Sequence, residues 1–163
     1  MGALGISPRP PVGSVKLPNY FKVTADFTSG TWNTVASHEI ATVTGGVHMV
    51  IIPECTGTLT DAADASRMQL GHATDTAALI ASTVNATAGT VIEVGEFWLD
   101  TTPADVFVTN AQQKILDFII GNGLDIGYEI TAAALTGGSM DFHIWWESIN
   151  ATGAVVAGAG GTL

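Results

Sequence analysis

Ser139-Met-Asp-Phe-His-Ile-Trp-Trp-Glu147 alternates, with Met140, Phe142, Ile144 and Trp146 on one side of an extended chain. Just upstream, Leu124-Asp-Ile-Gly-Tyr-Glu-Ile-Thr131 does the same, with Ile126, Tyr128 and Ile130 on one face and Asp125 and Glu129 on the other. A period of two is the pattern of a strand with one face in a core. These two runs decide the fold class, and both sets of apolar residues are expected to pack in one core. By the same parity Trp145 lies opposite Trp146, so one indole belongs to the core and the other to an interface between subunits.

Further strands are read outward from this pair. Tyr20 to Phe27, Thr31 to Val35, His38 to Thr44, Val47 to Pro53, Arg67 to His72, Thr90 to Val94, Asp105 to Thr109 and Ile115 to Ile120 are rich in β-branched and aromatic residues. Gly45-Gly46 between two such runs reads as a hairpin turn. Val47 to Pro53 is apolar on both faces, which suits a central strand. Cys55 to Ser66 and Thr136-Gly-Gly138 read as turns. Asp75 to Val84 reads as a loop with a possible strand or helical turn, and Ala111 to Lys114 as a helical turn. About eight to ten short strands without a long amphipathic helix make an all-β protein, either sandwich or barrel.

The first nineteen residues differ from the rest. They hold four of the six prolines, Pro8, Pro10, Pro11 and Pro18. Three of the five basic residues, Arg9, Lys16 and Lys22, precede the first acid, Asp26. X-Pro steps favour extended backbone. Residues 1–19 are therefore expected to form a basic, extended arm on an acidic body, residues 20–156, with 157–163 as a flexible Gly-rich tail. Arg9, Lys16 and Leu17 on the arm and Trp145 on the body are the candidate partner-contact residues.

Composition narrows the function. Charged residues are only 12% of the 163-residue chain, and hydrophobic residues 47%, against roughly 25% charged in an ordinary soluble domain. No run approaches the ~18 apolar residues of a membrane helix. Such a chain carries more apolar surface than a monomer hides, which points to an obligate assembly. A formal net charge of −10 argues against nucleic acid and against an anionic membrane, since both need Lys and Arg. Cys55 is the one cysteine, which excludes an internal disulfide. Met1 to Pro11 has no apolar core of signal-peptide length, so a cytosolic origin is expected. The sequons at Asn85 and Asn150 then read as chance.

No catalytic constellation emerges. His38, His48, His72 and His143 form no metal-binding spacing, and Asp61, Asp64 and Asp75 form no calcium loop. There is no nucleophile elbow and no phosphate-binding glycine motif. No enzyme activity and no cofactor are expected. Trp98, Trp145 and Trp146 could stack on sugars, but core and subunit interface are the readings preferred for them.

The region from Ile40 to about Val156 resembles a group of small virion proteins of tailed bacteriophages. The resemblance lies in Ala41-Thr-Val-Thr-Gly-Gly-Val-His-Met-Val-Ile-Ile-Pro-Glu-Cys55, Asp75-Thr-Ala-Ala-Leu-Ile-Ala-Ser-Thr83 and Gly95-Glu-Phe-Trp-Leu-Asp100. It extends to Asn122-Gly-Leu-Asp-Ile-Gly-Tyr-Glu-Ile-Thr131 and Gly137-Gly-Ser-Met-Asp-Phe-His-Ile-Trp-Trp146. It implies a jelly-roll-like antiparallel β-sandwich with an N-terminal arm, and a homotrimeric cement, or decoration, protein. Its partner would be the major capsid protein, at the capsid surface of a virion assembled in the host cytoplasm. A tail or fibre module binding a host glycan is the alternative, and a small jelly-roll enzyme a third.

Overall fold

The two runs of alternation occupy opposite layers of a sandwich. In a computed structural model of the chain, residues 19–28, 30–87, 90–101, 116–161 and 163 are described. The strands are β1 (Asn19–Asp26), β2 (Ser37–Thr44), β3 (Val47–Asp61), β4 (Arg67–His72), β5 (Asp75–Val84), β6 (Ala86–Thr87), β7 (Thr90–Val91), β8 (Leu116–Ile120), β9 (Ile126–Thr131), β10 (Leu135–Ser148) and β11 (Ala154–Ala157). A four-stranded sheet has the order β1-β10-β3-β8, a five-stranded sheet the order β11-β2-β9-β4-β5, and β6 and β7 form a small separate ribbon. Every pairing between these strands is antiparallel. Apart from β4 and β5, which pair with each other, successive strands from β1 to β5 and from β8 to β10 change sheet. First and last long strands lie side by side. This is the double Greek key of a jelly roll, with β11 added at one edge.

The expected core is present. Phe142 and Ile144 from the four-stranded sheet and Ile126, Tyr128 and Ile130 from the five-stranded sheet are buried in one cluster, with Trp146 packed against it. Met49, Ile51, Met68 and Leu70 complete its centre. Trp98 is fully buried there too, its Nε1 donating to Thr83 Oγ1 at 3.1 Å.

Several local readings change for tertiary reasons. Gly45 and Gly46 join strands of different sheets, so the turn carries the chain across the core instead of closing a hairpin. Gly45 takes φ +62°, and its carbonyl accepts from Gly123 N at 2.9 Å in the neighbouring crossing from β8 to β9. Cys55 to Asp61 is not a turn-rich connection, because β10 holds it extended as far as the Leu135–Asp61 pair. On the other side of this half of β3 runs an irregular segment, with Cys55 N donating to Glu96 O and Trp98 N to Pro53 O. The missing N–H of Pro53 falls on that irregular side, where a proline breaks no regular ladder. Gly137 and Gly138 are register shifts within β10, with Gly138 at φ +98°. Asp75 to Val84 is a strand because β4 pairs with it. The segment read as a strand from Thr31 is a 3-10 turn at Gly30–Trp32. The readings at 105–109 and 111–114 lie outside the described residues.

The Gly-rich end does not hang free as the expected flexible tail. β11 pairs with β2, and beyond it Gly158 N and Gly160 N donate to Ile40 O and Glu39 O, while Gly161 O accepts from Glu39 N. Small residues let this segment lie flat along the strand.

Candidate functional site

The outer face of the four-stranded sheet carries aromatic and charged side chains outside the main core. Strand parity and register place them in rows. Tyr20, Trp145, Val50 and Asp117 form one row across the four strands, and Lys22, His143 and Ile52 the next. Thr24, Asp141 and Glu54 follow, and Glu147, His48 and Ile119 lie on the other side of the first row.

The centre is apolar and aromatic. Val50 and Trp145 form a buried cluster separate from the main core, with Tyr20 and Ile52 packed against it. The rings of Tyr20 and Trp145 lie 5.0 Å apart, and His143 stacks near both at 6.2 Å from Tyr20 and 6.1 Å from Trp145. Trp145 thus has the outward position expected from its parity, yet it is only 8% exposed. The more accessible apolar groups are Tyr20 and Ile52, together with Ile119 on β8, which is 67% exposed. Arg9, Lys16 and Leu17 lie outside the described residues.

Hydrogen-bonded charges frame this centre. Lys22 Nζ donates to Asp141 Oδ2 at 2.5 Å, and Thr24 Oγ1 to Asp141 Oδ1 at 2.6 Å. Partial burial opposes ionisation of Asp141, but these two donors outweigh it and hold the carboxyl below its usual range. His143 Nε2 lies 3.0 Å from Glu54 Oε2, and its Nδ1 lies 2.9 Å from Tyr20 Oη. A carboxylate only accepts, so Nε2 donates to Glu54, and in the neutral ring of that tautomer Nδ1 accepts from the phenol. His48 Nε2 faces Asp117 Oδ1 at 2.6 Å, and Nδ1 faces Glu147 Oε1 at 3.3 Å. Burial disfavours the imidazolium, but hydrogen bonds to Asp117 and Glu147 prevail and raise the pKa above its ordinary 6.5. The protonated ring then ties β3 to both β8 and β10.

His48 directs its two nitrogens to carboxylates on opposite sides of the ring, so the three groups share no common ligand point. Among the described residues no group of three or more His, Cys, Asp or Glu could hold a metal ion. His38 is buried against Tyr128, with Nε2 2.9 Å from Thr34 O. His72 Nδ1 lies 3.1 Å from Thr74 Oγ1. Asp61 accepts from the backbone N–H groups of Asp64, Ala65 and Ser66, and so shapes its own loop. Burial pushes the Cys55 thiol up to about 11, which keeps it protonated and unreactive at neutral pH.

A cleft and the two sequons bear on glycans. A shallow cleft of about 450 Å³ is lined by Thr24, Asp26, Thr28, Gly57, Gly138 and Ser139, none of them aromatic. Of the two sequons, Asn85 is fully buried, whereas Asn150 Oδ1 closes a turn by accepting from Gly46 N, Thr152 N and Thr152 Oγ1.

Sequence reading placed Trp145 on the face opposite Trp146 but missed the polar frame of Tyr20, Lys22, Glu54, Asp141 and His143. Alternation showed which residues of β10 face outward. It gave no indication that β1 and β3 are its neighbours, because the register joins residues more than eighty positions apart. Comparison of the chain with protein-family models, with curated proteins and with solved structures returned no match.

Proposed function

We propose that this chain is a structural virion protein: a homotrimeric cement protein that binds the outer surface of a phage capsid and joins major capsid subunits. The observation that carries this reading is the outer face of the four-stranded sheet. Its apolar and aromatic centre sits inside a frame of hydrogen-bonded charges, the layout of a protein–protein interface. Aromatic side chains at such a centre commonly supply most of the binding energy. Tyr20, Ile52 and Ile119 would meet the partner, and Trp145 would stiffen the face beneath them.

The mechanism is mechanical. Each trimer would bridge several capsid subunits and add interface free energy across their seams, opposing the pressure of packaged DNA. Affinity would follow the quality and preorganisation of the apolar contacts more than their area. The jelly-roll body supports this use, since two closely packed sheets present a stiff face. The hydroxyl-lined cleft lacks a stacking ring among its described residues, which favours this reading over a glycan-binding fibre module.

Purified protein mixed with expanded, undecorated heads should co-sediment with them saturably, and cryo-electron microscopy should place it on the outer surface. Light scattering at micromolar concentration should give about three times 16.8 kDa. A stable monomer that leaves such heads bare would overturn the proposal.

A further inference from the structure

Ser66 and Asn85 face each other one step beyond the regular end of the β4–β5 ladder. Arg67 pairs with Val84, and Asn85 N donates to Ser66 O at 3.4 Å. Ser66 shares the parity of Met68, and Asn85 that of Thr83, both buried. The two side chains therefore project to the interior, and both residues are 0% exposed. Asn85 O accepts from Ile92 N at 3.1 Å, and Ile92 O accepts from Leu59 N at 3.1 Å. The chain after the β6–β7 ribbon is thereby tied to the same end of the core.

The neighbouring polar group is satisfied and this pair is not. Thr83 Oγ1 accepts from Trp98 Nε1 and donates to Ala81 O at 3.0 Å. Among the described residues, Ser66 Oγ, Asn85 Oδ1 and Asn85 Nδ2 are buried without a hydrogen-bond partner. Buried polar atoms in folded proteins are nearly always bonded to protein or to ordered water. Three such atoms on two facing residues mark one site.

The chemistry of the atoms selects the ligand. An amide offers donors on one side and an acceptor on the other, and a hydroxyl does both. A cation would be repelled by the Nδ2 donor and an anion by the Oδ1 acceptor. A small neutral molecule that both donates and accepts suits all three, and a buried water takes 2–4 polar partners. We propose that a resident water molecule bridges Ser66 Oγ and the side-chain amide of Asn85, fastening the start of β4 to the chain that enters the β6–β7 ribbon.

A crystal structure at high resolution tests this on the unaltered chain. An ordered solvent peak within hydrogen-bond distance of Ser66 Oγ and the Asn85 amide is expected. A direct bond between the two side chains with no solvent between them would overturn it. In solution, the Asn85 side-chain NH₂ protons should show cross-relaxation with a long-lived water, and this signal should vanish in Ser66→Ala with the remaining amide spectrum preserved. Absence of the signal in the unaltered protein, or its persistence at full strength in the folded Ser66→Ala variant, would refute the bridge.

Discussion

Tyr128 and Phe142 stack across the middle of the sandwich, with ring centroids 5.5 Å apart and planes 6° from parallel. They come from different sheets, so this contact joins the two layers directly. Phe27 meets Tyr128 edge-on at 5.9 Å, and Tyr128 Oη donates to Trp32 O at 2.7 Å. The phenol thus keeps a partner while its ring fills the core, and burial raises its pKa far above the ordinary value. Phe142→Ala should cost roughly 3–5 kcal/mol, as expected for an emptied aromatic site. Trp146→Ala should cost less, because Trp146 is only partly buried. Urea unfolding of both variants checks the order, and a loss below about 1 kcal/mol for Phe142→Ala would remove the ring pair from the core.

The His48 bridge makes stability depend on pH in a definite direction. Its folded-state pKa lies above the ordinary 6.5. The imidazolium therefore binds its proton more tightly in the folded chain than in the unfolded one. The stabilisation is fully present below about 6.5 and is lost as pH rises through the folded value. His48→Gln should flatten the decline in unfolding free energy between pH 6 and 8. Equal slopes for variant and parent would show that His48 is not the group responsible.

Asp141 behaves in the opposite sense. Its carboxyl is held below the usual range, so its contribution is present above the unfolded pKa and fades as pH falls through the folded one. Lys22 is exposed at its charged end, so solvent screening keeps its coupling to Asp141 small. A double-mutant cycle with Lys22→Met and Asp141→Asn should return a correspondingly small coupling. Asp141→Asn alone should cost more than Lys22→Met, since Thr24 also loses its charged acceptor.

Cys55 should resist alkylation in the folded protein. It is fully buried, its pKa is pushed up to about 11, and its Sγ lies 3.2 Å from Gly57 O. Iodoacetamide at pH 8 should label it only after denaturant is added. Rapid labelling under native conditions would contradict the packing of β3 against the 92–98 segment.

The arm can be tested by deletion. Removal of residues 2–18 should leave thermal unfolding of the body nearly unchanged and weaken trimer cohesion or attachment to heads. An extended segment of that length reaches up to roughly 60 Å, enough to cross a neighbouring subunit. Undiminished occupancy on heads by a deleted protein that remains trimeric would leave the arm without an assembly role.

Alternation in residues 124–131 and 139–147 was enough to identify an all-β chain and to name both walls of its core, because side-chain direction along a strand depends only on local geometry. It also placed Trp145 and Trp146 on opposite faces. Which strands are neighbours is a non-local matter. The glycine pair at 45–46 marks a turn in either case, and only packing sends its flanking strands into different sheets. Cys55 to Asp61 looks like a loop by composition, yet β10 supplies the ladder that makes it a strand. The same dependence governs the outer face: His143 lies 89 positions from Glu54 and 123 from Tyr20, distances at which a sequence carries no local signal of contact. Local geometry settled the faces of the strands, and the jelly-roll register decided which side chains meet on them.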